Sequence, residues 1–207
     1  MTTTTSEEEA QHHHHLLTLD HKISQSLHTL TKPYLPISLL YLLELSADFR
    51  FFFPVTLSLL LAPRAIPLRH PFLYPFLFGL LLDLAFIGLV KTLFRRSRPH
   101  YNPDMSPAVH ADHFSFPSGH ASRVFFVAAF VSLYEGHVIE LLRPIMGHDV
   151  FVVFCACVCV WAVATSVSRV LLGRHFLLDV VAGAFLGVLE ALFVFRLFRG
   201  LKQSLDW

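Results

Sequence analysis

The chain opens polar and then turns apolar in repeated runs. Residues 1–15 (MTTTTSEEEAQHHHH) hold no hydrophobic stretch of the signal-peptide kind, so the pattern predicts a disordered polar tail over residues 1–30. From Leu35 onward, apolar runs recur near residues 35–45, 51–62, 71–90, 120–134, 150–167 and 177–195. Several approach the ~20 residues that a helix needs to cross a bilayer. The first run is short and ends at Glu44-Leu45-Ser46-Ala47-Asp48, so it is read as an interfacial element, with the run from Phe51 crossing after it. In hydrocarbon only helices and closed barrels satisfy their own backbone, and runs of this length are helical. The expected fold is therefore all-α: an integral-membrane helical bundle of about five transmembrane helices. It occupies residues 31–200 and leaves a short C-terminal tail at 201–207. No repeat or second domain is visible.

Composition strengthens the membrane reading. Hydrophobic residues make up 54% of the chain and charged residues only 15%, against roughly 25% charged in soluble proteins. A net charge of +1 gives no overall field for nucleic acid, so the basic residues matter only where they cluster. Cys155, Cys157 and Cys159 alternate inside an apolar run, a helical spacing that turns Cys157 away from the other two and suits neither a disulfide nor a metal site. The His12–His15 run lies in the polar tail and reads as solvated sequence rather than a metal centre.

Three polar clusters sit at the ends of the apolar runs. The first is Lys91-Thr-Leu-Phe-Arg95-Arg96-Ser97-Arg98-Pro99, where a seven-residue step from Lys91 to Arg98 is close to two helical turns and predicts two cations on one face. Alone it would pass for a positive-inside flank or a headgroup anchor. The second is Phe116-Pro117-Ser118-Gly119-His120 before an apolar helix, a helix start whose N–H groups and Ser118 hydroxyl favour an anion. The third is Ser168-Arg169, followed by Gly173-Arg174-His175 and Asp179. His175 and Asp179 are four apart, one turn on a helix, so the carboxylate is placed to hold one imidazole nitrogen and leave the other free to attack.

Alternation of spans decides what these clusters mean together. Lys91 ends one span and His120 begins the next, so both lie on one membrane face; two crossings later Arg169 returns to it, and Asp179 leaves from it. Cations, two histidines, a carboxylate and a helix N-terminus converging at the boundary make a site for a phosphate undergoing transfer. A magnesium cage would need more carboxylates than Asp179 supplies. Spacing alone leaves open which histidine attacks. Asp83 and Glu190 lie within spans and are read as packing residues, too few to mark a transport path.

The ordered set Lys91-x6-Arg98-Pro99, Pro117-Ser118-Gly119-His120 and Ser168-Arg169-x5-His175-x3-Asp179 resembles the type 2 phosphatidic acid phosphatase superfamily, over residues 46–198. Within it, the run from Arg95 to Asn102 and the run from Phe114 to Ala121 are most similar to the small presqualene and polyisoprenoid diphosphate phosphatases, and more loosely to plant lipid phosphate phosphatases. The resemblance implies that His175 is the nucleophile taking the phosphoryl group, that Asp179 orients it, and that His120 is the general acid and then the base for water. It implies that Lys91, Arg98, Ser118, Gly119 and Arg169 hold the phosphate oxygens. It further implies an enzyme needing no metal or other cofactor. Its substrate would be an amphiphilic lipid phosphate or diphosphate, of isoprenoid diphosphate or phosphatidate type. A scaffold that keeps the fold but not the activity would show a damaged motif, and none is damaged; soluble haloperoxidases of similar pocket lack the spans. No cleavable leader is visible, so the expected location is the endoplasmic-reticulum membrane, with the positive-inside rule favouring a cytosolic site.

Overall fold

The computed structural model describes residues 2–62, 69–101, 113–142 and 148–205. Among the described residues the chain is helical. The helices are α1 (Thr2–Thr31), α2 (Ile37–Ser46), α3 (Phe49–Leu61), α4 (Tyr74–Phe94), α5 (Gly119–Leu133), α6 (Glu135–Leu142), α7 (His148–Leu171) and α8 (Leu177–Leu205), with one π-helical turn at Arg69–Leu73 before α4. Asn102, the last residue of the motif that begins at Arg95, lies outside the described residues.

Among the described residues three stretches are long and apolar enough to cross a membrane: Pro71–Phe94, Val150–Leu171 and Leu177–Ser204. Ile37–Ser46, Phe49–Leu61 and Gly119–Leu133 are apolar but shorter. The last of these sits at the centre. α5 packs on α4, α7 and α8, and its inward face carries Phe126, Phe130 and Val131 into a core closed by Leu80, Tyr134 and Val194. Aromatic rings hold this core in specific geometry: Phe130 stacks on Tyr134 with centroids 4.2 Å apart, and Phe72 meets Phe130 edge-on at 5.3 Å.

At the α5–α8 contact the two backbones touch. A Cβ at Gly183 would overlap the carbonyl oxygen of Ser118, and one at Gly187 would overlap that of Ser122. Gly183-x3-Gly187 thus presents one bare face of α8 to the backbone of α5, the small-residue packing that lets membrane helices touch. Ser118 N–H donates to the Asp179 carbonyl at 2.9 Å, pinning the first turns of both helices together. Gly183→Ala is expected to lower stability by about 1–3 kcal/mol, read as a fall in the melting temperature of detergent-solubilised protein, because the Ser118 carbonyl stands where the new methyl must go.

The N-terminal tail departs from expectation. Residues 2–31 form a helix, and its Asp20 and Ser24 are buried at 4% and 0% exposure. The polar composition that reads as disorder is instead used on the protein. Ser24 Oγ accepts from Leu177 N–H at 2.9 Å and Asp20 Oδ1 accepts from Leu178 N–H at 3.0 Å, so α1 caps the start of α8. Inside the bundle, Asp83 has the packing role expected of it: Arg123 donates to its carboxylate at 2.9 Å and to the Ala47 carbonyl at 3.0 Å. Paired and hydrogen-bonded, the two charges avoid the cost of lone burial.

Candidate active site

The three sequence clusters meet at one end of the bundle, where α4 and α7 end and α5 and α8 begin. Their local geometry differs from the helical spacing that suggested it. α4 stops at Phe94: Arg95 takes a left-handed conformation (φ 48, ψ 33) and its N–H bonds the Lys91 carbonyl at 2.9 Å. Lys91 is therefore on the helix and Arg98 on the loop after it, rather than both on one helical face. They converge all the same. Lys91 Nζ donates to the Phe114 carbonyl at 2.9 Å, and Arg98 Nη1 to the Arg174 carbonyl at 2.9 Å. These bonds tie the first cluster to the loop before α5 and to the loop before α8.

Ser118 is the N-cap of α5, its Oγ accepting from Ala121 N–H at 3.5 Å. The N–H groups of Gly119 and His120 belong to the first turn, outside the intrahelical ladder, and are available to an anion. His120 Nε2 is buried and without a hydrogen-bond partner among the described residues. A buried ring nitrogen left unpaired is costly.

His175 lies in the loop ahead of α8, not on the helix with Asp179. Its Nδ1 is 2.7 Å from the Ser115 carbonyl and 3.7 Å from Asp179 Oδ2. The expected carboxylate-to-imidazole bond is thus replaced by a carbonyl-to-imidazole bond. The reason is that the carboxylate is already engaged: Asp179 Oδ1 receives Arg96 Nη1 at 2.6 Å, and Oδ2 receives Phe176 N–H at 2.9 Å. A carbonyl oxygen only accepts, so Nδ1 must carry the proton and Nε2 keeps its lone pair. His175 is 2% exposed. Burial, followed by the cations Arg98, Lys91 and Arg169, holds its imidazole well below the usual histidine range.

Arg169, 2% exposed at the end of α7, points a guanidinium at Glu44 of α2, Nη1 to Oε2 3.1 Å, and Arg174 lies 3.8 Å from the same oxygen. Glu44 and Arg96 are the residues that sequence reasoning missed. Glu44 sits beside Ser46 and Asp48 in a polar break and reads as a loop charge, while Arg96 is one basic residue among four in its run. Its partner Asp20 could not be paired with it without the fold: Arg96 Nη2 reaches Asp20 Oδ2 at 2.6 Å, so one guanidinium bridges two carboxylates. Tyr101 stands beside them, its phenol pushed up to about 12 by burial and by the charges of Asp20 and Asp179. A cavity of about 930 Å³, lined by Tyr134, Phe195, Phe198 and Arg199, opens at the other end of the bundle and has no part in this constellation.

Known proteins place the arrangement. The chain is 54% identical over 197 residues to the probable lipid phosphate phosphatase beta of Arabidopsis thaliana, spanning 89% of this chain and 91% of that one. It is 33% identical over 129 residues to phosphatidylglycerophosphatase B of Bacillus subtilis, covering 61% of this chain and 59% of that protein. The fold is similar to the crystal structure of the transmembrane PAP2-type phosphatidylglycerolphosphate phosphatase of Bacillus subtilis, with TM-score 0.65 and 24% identity over 91% of this chain and 87% of that one. It is also similar to LpxE of Aquifex aeolicus, with TM-score 0.55 and 18% identity over 83% and 93% of the two chains. The sequence profile of the PAP2 superfamily matches residues 72–203, the stretch that carries all three clusters, and the chain belongs to that superfamily.

Proposed function

We propose that this chain, a membrane lipid phosphatase of the PAP2 type, moves the phosphoryl group of an amphiphilic lipid to His175 and then to water, with no metal ion. The carrying observation is the 2.7 Å contact between His175 Nδ1 and the Ser115 carbonyl, which places the ring proton on Nδ1 and leaves Nε2 as the nucleophile. In the first step Nε2 forms a bond to phosphorus while the bond to the lipid oxygen breaks, and His120 gives that oxygen a proton. In the second, water attacks the phosphohistidine, His120 takes a proton from it, and phosphate leaves with Nε2 restored. Lys91, Arg98 and Arg169, with the Ser118 hydroxyl and the Gly119 N–H, take the three phosphoryl oxygens and offset their charge in the transition state, a task that metal ions perform elsewhere. Asp179 is engaged by Arg96 and Phe176 and acts as an orienting group rather than a metal ligand.

A site at the boundary of the spans suits a substrate whose phosphate enters the pocket while its tail stays in lipid. The motif similarity of Arg95–Tyr101 favours isoprenoid diphosphates, and the names of the relatives favour glycerolipid phosphates. The reading includes an endoplasmic-reticulum membrane and, on the strength of the arginines gathered at the catalytic end, a cytosolic site. The test is phosphate release by detergent-solubilised protein in EDTA, from farnesyl diphosphate and from phosphatidate, with base-stable, acid-labile phosphoenzyme trapped during turnover. Release that persists in EDTA with such an intermediate is the expected result, and the substrate ratio assigns the lipid class. Release abolished by EDTA and restored by magnesium would overturn the metal-free mechanism. No release from either lipid by folded protein would identify a scaffold.

A further inference from the structure

α1 has three faces rather than two. Leu16, Leu19, Ile23, Leu27 and Leu30 recur at steps of three and four and are 58%, 41%, 46%, 37% and 68% exposed. At 100° per residue they fall within an arc of roughly 80°. A second face, centred on Asp20, Ser24 and His28, is spent on the protein: Asp20 and Ser24 cap α8, and His28 Nδ1 lies 2.6 Å from the Leu171 carbonyl at the end of α7. The third face carries Lys22, Gln25, Ser26 and Thr29, all exposed. An apolar stripe, a polar stripe and a docked edge are what a helix needs to lie in a membrane interface against the side of a bundle. The apolar stripe also continues an existing lipid-facing surface. Leu178, whose N–H Asp20 accepts, starts a row on α8 with Val181 and Phe185, which are 42%, 56% and 63% exposed.

We propose that α1 is an interfacial helix whose Leu/Ile stripe is seated in bilayer lipid and whose Asp20, through Arg96, positions the catalytic end of α8. The occupant of the stripe is the membrane the spans cross, because the stripe adjoins their outer surface and faces away from the protein. The coupling is short: Asp20 holds Arg96 at 2.6 Å, Arg96 holds Asp179 at 2.6 Å, and Asp179 holds the Phe176 N–H next to His175 at 2.9 Å. Arg96 also lies over the Phe176 ring, 4.2 Å from its centroid. Asp20 and Arg96 are positioning residues, since neither needs to touch phosphate to fix where His175 stands.

The positioning half rests on the phosphohistidine reading, while the membrane half does not, and the experiment separates them. Full-length protein with Cys155, Cys157 and Cys159 changed to Ala is reconstituted in phosphatidylcholine vesicles and labelled with an environment-sensitive fluorophore at Ile23→Cys or Gln25→Cys. Spin-labelled lipid is expected to quench the probe at position 23 several-fold more than at 25. Equal quenching overturns the interfacial placement. Phosphate release is then compared for Asp20→Asn, Asp20→Glu and Arg96→Lys. Asp20→Asn is expected to lower kcat roughly tenfold or more, with KM and melting temperature little changed, and Asp20→Glu to recover part of it. Unchanged kcat in Asp20→Asn and Arg96→Lys overturns the positioning role. Wild-type protein with no His175-dependent turnover would instead overturn the proposed function, with the quenching result still standing.

Discussion

Replacing His175 by Ala is expected to reduce lipid phosphate release to background, a loss on the order of a million-fold if the residue is the covalent nucleophile. No neighbouring side chain substitutes for it, because the only other imidazole described in the pocket, His120, lacks the backbone carbonyl that fixes a tautomer at His175. The phosphoenzyme should vanish with the activity. The pH dependence of the wild type follows from the same environment. Burial and the adjacent cations lower the His175 pKa below its ordinary 6.5, so the nucleophile is neutral at and somewhat beneath that pH. The acid limb of kcat/KM, which reports the free enzyme, is therefore expected below pH 6.5 rather than at it. The sign for stability agrees. The unfolded chain binds the proton first, so His175 costs nothing above pH 6.5, and its cost grows as pH falls from there toward the folded value.

His120→Asn is expected to lower kcat by roughly 10²–10⁴ on lipid substrates, the usual worth of a general acid–base. The informative quantity is how that loss depends on the leaving group. An alkoxide leaving from a lipid alcohol needs a general acid, whereas a nitrophenolate does not. Formation of the phosphoenzyme from an aryl phosphate should survive in His120→Asn, with the burst intact and the following hydrolysis slowed. If the variant instead lost the burst for both substrate types, His120 would be required for binding or attack, and the two histidines would exchange roles. His175→Ala should show no burst with either substrate.

The sequence carried more of the site than of its scaffolding. Lys91, Arg98, Ser118, Gly119, His120, Arg169, His175 and Asp179 do converge, because each motif sits at the end of an apolar run and alternation of spans brings those ends together. Fine geometry was not legible. Helical spacing placed Arg98 above Lys91 and Asp179 above His175, yet in both cases the chain leaves the helix between them, at Arg95 and before Leu177. Nothing local announces that a carbonyl from Ser115, sixty residues away, accepts the hydrogen bond of the imidazole. α1 was missed for another reason. Its polar residues outnumber its apolar ones, so composition reads as solvent-exposed tail, while the evenly spaced Leu16, Leu19, Ile23, Leu27 and Leu30 carry the signal that composition averages away. Gly183 and Gly187 were equally visible as a small-x3-small pair, and what they mean appears only when α5 lies against them.

That glycine face also fixes how the enzyme answers to its bilayer. His120 leads off α5, and the loop holding His175 feeds directly into α8, so the spacing between the two imidazoles is set by main chain resting on main chain at Ser118 and Ser122. Such a joint has no side chain to rotate and no gap to close. A membrane thinner or thicker than the spans will tilt α5 and α8 as one body, and the strain will be taken up by the outer helices. Turnover should therefore vary little with acyl-chain length so long as the phosphate can reach the pocket, and the hydrocarbon will act on entry of the substrate rather than on the chemistry.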